Sequence, residues 1–589
     1  MVGEFLKKSL GLVAVLAAAS MALTGCSGST ATPSATFVKG SALVIGEAGP
    51  LANLNSGVYA APNTTAAEAD LAQLTLPAFY GHDATGALVA NTAFGSVTAI
   101  DANSVEYKLA GAAKWSDGVP VSPADLALSF LAATDAGQPG FVANARFGSL
   151  ALADKITVAT DSVTVHWPTA VPADYQTTLQ VTAPAHLVGS LALGGSATAA
   201  EGEQAVIDAA TGASTDKLSK LEETYATSFA TDSANPGKAV KAKYLLSAGP
   251  YNYVSANTNT VVLKANTGYS AGPKPAVENV TLRFYNSPDD LVAAISAKEV
   301  DLAAPVASGM NNLAQISDLA KKAGMSAVSG DSGQNEVVLL NYNKTGVFNL
   351  STWKGNALQL ETAKQMWFDF LPRAGIWSTL AGDKALSKTD SLVLSSTQAG
   401  YQASVDKNGS AAYQFQDAEL SEQIWLAAKF DRTIKLRVLF DSGNSRGQLE
   451  YTQIARLGKL GGFDLRNNST DNPASVLATG DWDVYITTMG RLASDPTAQA
   501  LLSGALAGYS NDAVNAILAS VPKGSTLAQQ PKLLAKLDAA LYANHFALPL
   551  FQLNNLVVSS SKLVKYQANP ANSSVVWGYS NWSVSGTGK

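Results

Sequence analysis

From about residue 40 onward, apolar and polar positions fall into short blocks that alternate between two periods. Residues 42–45, 105–109, 260–265, 280–284, 336–341, 433–440, 463–466, 483–488 and 548–558 read as strands. Residues 156–160 and 162–167, joined through Asp161, alternate like an antiparallel hairpin. Helical periods occupy 65–76, 123–133, 288–298, 358–371, 448–460 and 525–544. In the last of these Leu527, Leu533, Leu534, Leu537 and Leu541 share one face. The stretch 201–230 is polar and alanine-rich enough for surface helices, with a break at Gly212. Strands alternating with helices of this length predict crossover units, a largely parallel sheet and the α/β class.

The first residues follow a different pattern. Lys7 and Lys8 precede an apolar run from Leu10 to Leu23, which closes on Leu23-Thr24-Gly25-Cys26. The run is shorter than the ~20 apolar residues of a spanning helix and has the layout of an export signal. Residues 27–36 are rich in Ser, Thr, Ala and Gly, a composition that buries no core and predicts a flexible tether.

A chain of 589 residues exceeds what one core usually serves, so several domains are expected. With 47% hydrophobic and 15% charged residues it is globular, and its net charge of −6 offers no broad basic surface for nucleic acid. Cys26 is its single cysteine, so an exported chain must hold together without disulfides. The order leucine, small residue, glycine, cysteine resembles the bacterial lipobox, which implies lipidation of Cys26 and removal of residues 1–25. Two or more acyl chains would hold the protein durably on a membrane.

Two further stretches carry a family resemblance. Lys114-Trp115-Ser116-Asp117-Gly118-Val119-Pro120 forms a turn after a strand, and Ser122, Pro123 and Asp125 then make a helix-capping arrangement. Ser247-Ala248-Gly249-Pro250-Tyr251, Asn266 with Tyr269, and Glu299-Val300-Asp301 follow in order, and Asn341-Tyr342-Asn343 ends a later strand. With the lipobox, these motifs resemble the family 5 solute-binding proteins, the peptide-, nickel- and oligosaccharide-binding components of ABC importers.

The resemblance implies a two-lobed α/β periplasmic-binding-protein-like fold, type II and large cluster C-like, with an extra subdomain in the first lobe. It divides the chain into a signal peptide (1–25), a tether (26–40), an opening segment of lobe I (41–83), an inserted subdomain of lobe I (84–186), a middle segment of lobe I (187–330), lobe II (331–546) and a closing segment of lobe I (547–589). It implies a monomer on the outer face of the cytoplasmic membrane, held to lipid through Cys26. There it would pass a peptide or similar small polar solute to permease subunits, without cofactor and without catalysis. The family usually opens the helix near 358 with an arginine-rich segment, whereas Glu361-Thr362-Ala363-Lys364 stands here.

Ligands of open α/β sheets bind beyond the carboxyl ends of strands. The strand at 483–488 ends in Met489-Gly490-Arg491, where a glycine admits close approach and Arg491 can grip a carboxylate with two hydrogen bonds. Peptide-binding members of the resembled family carry a tryptophan and an aspartate in this segment, and here the first acid is Asp495. On the other lobe the loop after the first strand presents Asn55, Ser56 and Tyr59 as candidate contacts.

Other chemistry is sparse. His82, His166, His186 and His545 show no metal-ligand spacing. Gly443-Asn444-Ser445-Arg446-Gly447 fits the G-x-S-x-G elbow of serine hydrolases, and Asp495 or Asp512 and then His545 follow in a suitable order. No glycine-rich oxyanion segment precedes it, so an exported hydrolase is the alternative reading. A cell-surface interaction module is another, and a serine capping the next helix is the plain account of the motif.

Overall fold

The computed structural model describes residues 37–585 apart from 59–64, 85–87, 135–144, 169–170, 173, 215, 306–312, 381–385, 397, 399, 415–417, 429, 431–432, 494, 496–497, 500, 505, 523–526, 528–529, 565 and 570–573. The first apolar run is the buried portion of a longer strand, β1 (Val38–Ala48). β2 (Tyr80–His82) and β3 (Leu88–Ala90) make a small hairpin. β4 (Gly95–Ala99), β5 (Ser104–Leu109), β6 (Lys155–Val158) and β7 (Ser162–His166) form a separate antiparallel sheet in the order β4, β5, β7, β6.

The remaining strands are β8 (Tyr251–Ala256), β9 (Thr260–Ala265), β10 (Val277–Tyr285), β11 (Leu302–Ala303), β12 (Ser326–Leu340), β13 (Leu386–Ser387), β14 (Ile434–Leu439), β15 (Phe463–Asn467), β16 (Val484–Gly490) and β17 (Ala547–Ser559). With β1 they build one large sheet in the order β15, β14, β16, β12, β17, β11, β1, β10, β9, β8, and β13 joins it on β17. The sheet is mixed, which corrects the expected largely parallel one. β1 runs parallel to β10 and β11, and β14 runs parallel to β15 and β16. Between these two parallel patches lie β12 and β17, antiparallel to each other because the chain enters lobe II on one and returns on the other.

β12 is far longer than the apolar stretch that announces it. Its opening stretch, Ser-Ala-Val-Ser-Gly-Asp-Ser-Gly-Gln-Asn, has no hydrophobic period, yet Ser326–Asp331 pair with Ser559–Asn554 and Asn335–Leu339 with Gln552–Ala547. Between Asp331 and Asn335 the register shifts, with Gly333 at φ 79°, the left-handed backbone that glycine adopts at no cost. Beyond the shift Val337 and Leu339 face one core of lobe II and Val338 and Leu340 the other, so the last four positions of the strand are all apolar. Trp367 and Phe370 lie in the first layer on one side, and Trp482, Leu537 and Leu541 on the other.

Lobe I has its own core, in which Leu43 and Ile45 of β1 and Leu282 of β10 meet Leu71 and Leu74 of the helix Thr65–Thr75. That core continues through Tyr107, Trp115, Leu126 and Trp167 into the four-stranded sheet. The surface helices at 201–230 appear as Ala199–Thr211, closed by left-handed Gly212, and Leu218–Thr227. The C-terminal helix runs only from Pro531 to Ala543, not from 525, because proline fits the first helical position, where no amide donor is needed. Among the described residues no helix is long and apolar enough to cross a membrane.

Candidate ligand cleft

Strand direction fixes where a ligand can sit. Leu302 and Ala303 of β11 pair in parallel with Ile45 and Gly46 of β1 and in antiparallel with Ser559 and Val558 of β17. Continuing along β1 therefore means moving back along β17 toward lobe II. In lobe II, Thr488, Met489 and Gly490 of β16 lie against Glu336, Asn335 and Gln334 of β12, so continuing along β16 means moving toward lobe I. The carboxyl ends of both parallel patches thus point at the stretch where β12 and β17 shift register. Such ends are where open α/β sheets bind ligands.

Arg491 follows β16 directly into this gap. Its backbone amide donates to the Gly333 carbonyl at 3.0 Å, inside the β12 irregularity. Its Nη2 lies 2.6 Å from Asp331 Oδ2, with the two side chains 4% and 15% exposed. Burial pulls the guanidinium below its usual basicity, and the Asp331 carboxylate opposes that pull. The other terminal nitrogen, Nη1, is buried without a hydrogen-bond partner. One arm of Arg491 therefore holds the crossing strand while the other remains available for an anionic oxygen.

The other lobe II candidates surround this residue. Met489 is buried in the core shared by Trp482 and Leu537. Gly490 is required by a close approach of the chain's own making, since a Cβ there would collide with the Asp495 carboxylate. The Asp495 amide donates to the Arg491 carbonyl at 2.8 Å, closing a turn. Its charge reaches lobe I: Asp174, held up to about 6 chiefly by burial, also feels Asp495. Asp174 accepts hydrogen bonds from the amide of Ser149, at 3.0 Å, and from its hydroxyl.

On lobe I, Asn55 is turned inward. Its Nδ2 donates to the Tyr225 carbonyl at 2.9 Å and its Oδ1 accepts from the Gly57 amide at 2.9 Å. It also lines a recess with Trp115, Thr182 and Phe229 whose volume of about 10 Å³ admits no more than one water. Ser56 is half-buried beside it. Tyr59 and Cys26, and with Cys26 the whole export signal, lie outside the described residues.

The elbow-like motif is a helix start. Asn444, not the serine, caps the helix Ser445–Gly458, its Oδ1 accepting from the amides of Arg446 at 3.1 Å and Gly447 at 3.3 Å. Arg446 stands over the ring of Phe551, 5.8 Å from its centre. His545 lies about six residues before Phe551, roughly 20 Å along an extended strand. There its Nε2 meets Gln365 Oε1 at 3.0 Å and its Nδ1 faces Glu361 at 3.7 Å. Asp512 opens a helix capped by Asn511. His166 and His186 pair with Asp154 and Asp117, and among the described residues no group of three or more His, Cys, Asp or Glu is arranged to hold a metal ion.

Asp331, Glu336 and Glu450 escaped sequence reasoning. Asp331 and Glu450 lie in segments that read as polar surface and Glu336 opens an apolar run, and it is the pairing of β12 with β16 that brings Glu336 to the carboxyl end of β16.

Comparison with known proteins matches this architecture. The chain is 23% identical to an uncharacterized lipoprotein of Mycobacterium tuberculosis, covering 96% of each chain, and 24% identical to one of Mycobacterium leprae, covering 98% of each. Among solved structures it is similar to the periplasmic EDTA-binding protein EppA, with a TM-score of 0.65 at 17% identity, covering 95% of this chain and 99% of that one. It is also similar to AgaA of A. tumefaciens in complex with agropinic acid, with a TM-score of 0.61 at 16% identity over 92% and 99% of the two chains. OppA of Haemophilus influenzae with a bound peptide gives 0.57 at 14% identity over 93% and 99%. Residues 88–511 match the family described as bacterial extracellular solute-binding proteins, family 5 Middle, and the chain belongs to that family.

Proposed function

We propose that this protein is the lipid-anchored capture component of an ABC importer. It binds a peptide or similarly small polar solute between its lobes and delivers it unchanged to permease subunits in the membrane. The observation that carries this reading is the convergence of both sets of strand ends on the β12–β17 crossing, where Arg491 keeps a buried nitrogen without a partner. An anionic group of the solute, such as a peptide carboxylate, would take that nitrogen, with Gly490 and Asp495 shaping the turn around it. The loop carrying Asn55, Ser56 and Tyr59 would close from lobe I.

Closure gains only the contacts that exist in the shut form and not in the open one, so the solute has to touch both lobes. A crossing made of two strands with a register irregularity supports that motion better than an unbroken ladder would. Anchoring rests on the Leu-Thr-Gly-Cys motif at Cys26 and agrees with the lipoprotein names of the mycobacterial relatives. The similar proteins bind EDTA, agropinic acid and a peptide, so all three classes belong in the screen.

The experiment is mass spectrometry of whatever leaves the purified chain on denaturation, followed by thermal shift with the identified solute and with peptide mixtures. A solute at about 100 times its Kd should stabilise the fold by ~2.7 kcal/mol, and Arg491→Met should abolish most of that gain. A chain that carries nothing and is stabilised by no peptide, by no EDTA and by no agropinic acid would sink the proposal.

A further inference from the structure

Glu450 stands on the second turn of the helix Ser445–Gly458, fully buried, and neither of its carboxyl oxygens has a hydrogen-bond partner. Buried polar groups are nearly always paired, so a carboxyl with none requires a reason. Its neighbour Glu336, on β12, is equally buried. Oε2 of Glu336 accepts from Arg446 Nη2 at 2.7 Å and from the Thr488 hydroxyl of β16 at 3.1 Å, while its Oε1 has no partner. Arg446 Nε stays 3.7 Å from Glu450 Oε1, too far for a hydrogen bond. Phe551 of β17 closes the remaining side beneath the guanidinium.

Two carboxyl groups therefore share one arginine, and three of their oxygens lack a donor. Burial first, and then the charge of Glu336, push the Glu450 carboxyl well above the usual glutamate range, against the pull of Arg446. A bound group that brought several N–H donors and one positive charge would satisfy all three oxygens and balance the second carboxylate. The place is also right: Glu336 pairs with Thr488 at the carboxyl end of β16, the edge that faces lobe I. Arg446, 30% exposed, is the layer between the pair and solvent there.

We infer that Glu336 and Glu450 form the seat for a cationic nitrogen group of the solute, an ammonium or a guanidinium. This rests on the reading of the protein as a solute catcher and narrows its cargo to molecules that carry a positive group as well as an anionic one. On binding, the Glu450 carboxyl loses its proton to solvent and the freed carboxylate accepts N–H donors from the incoming cation. The site then holds two carboxylates, Arg446 and one cation of the solute.

Titration calorimetry on the mature chain tests this with trialanine and N-acetyl-trialanine, each in phosphate and in Tris, buffers with very different heats of protonation. Trialanine should release about one proton per molecule bound, and acetylation should weaken binding roughly tenfold or more and remove the proton release. Glu450→Gln should bind trialanine without proton release and with most of its preference over the acetylated form gone. Equal binding of both peptides, or an unchanged preference in Glu450→Gln, overturns the cationic seat and leaves the importer reading intact. No heat from either peptide overturns the peptide reading and the seat together. Should Glu450→Gln not fold, Glu336→Gln and the proton count of the parent decide the matter.

Discussion

Replacing Asp331 by asparagine probes the junction between the lobes. Asparagine matches aspartate in size and keeps an oxygen for the Gly333 amide, which now bonds Asp331 Oδ1 at 3.0 Å. The change thus removes the charge and turns the atom that faces Arg491 from an acceptor into an N–H donor. It strands the Arg491 guanidinium, only 4% exposed, without a counter-ion. Breaking a fully buried pair in this way costs ~3–5 kcal/mol, and the partial exposure of Asp331 places this case near the lower end, at about 3 kcal/mol. At about 2.1 cal/mol/K of unfolding entropy per residue, a chain of this length carries roughly 1.2 kcal/mol/K, so the thermal midpoint should fall by about 2–3 °C. Scanning calorimetry reads that shift, and urea unfolding reads the free energy directly. Adding Arg491→Met should recover most of the loss, because an apolar replacement of a whole buried pair is often neutral. An Asp331→Asn midpoint within about 0.5 °C of the parent, or a double variant no better than the single one, would refute the idea that these residues form one mutually dependent unit.

Three more outcomes follow from the same geometry. Burial raises Asp70, Asp125 and Asp174 from the usual aspartate range to about 6, against the hydrogen bonds that favour their charged forms. A folded pKa above the unfolded one means stability that is full below about pH 4 and lost as pH rises through about 6, so urea unfolding should find the protein more stable near pH 5 than near pH 8, by roughly 1.4 kcal/mol per group. Asp70→Asn should flatten that dependence. Gly490→Ala should cost about 1–3 kcal/mol in urea unfolding through its collision with the Asp495 side chain, and Asp495→Gly added to it should relieve most of the clash, because alanine would keep the colliding Cβ. Asn444→Ala should cost about 1 kcal/mol in urea unfolding by leaving two helix amides uncapped, whereas Ser445→Ala should leave any ester turnover of the preparation unchanged.

The chain reveals in its sequence what depends on periodicity and conceals what depends on which polar residues meet. β1, β9, β10, β14 and β16 appear where apolar runs predict them, because each buries side chains against a core that any hydrophobic sequence would seek. The cap at Ser122 and the break at Gly212 are local backbone chemistry and are equally legible. Arg491 is visible as a candidate because it follows a glycine at the end of a strand. Its partner Asp331 is not, since the first half of β12 carries no apolar period and its pairing is set by β17, more than two hundred positions later in the chain.

The same blindness explains why the lobe II acids are hidden in the sequence. A glutamate inside a helical period such as 448–460 reads as the solvent face, and for a lone helix that would be correct. Here the helix Ser445–Gly458 leans on a sheet whose next strands bring Glu336 and Thr488 beneath it, so the polar face becomes an interior. Taking a carboxyl out of water is expensive, and for Glu450, whose two oxygens have no hydrogen-bond donor, the charge of Arg446 at 3.7 Å offsets only part of that cost. A fold that retains such a group at the edge where its lobes face each other is organised around contacts that the isolated chain does not complete. The expected signature is that emptying the cleft lowers stability more than the removal of any surface ion pair, and that the deficit is restored only by a solute bearing both signs of charge.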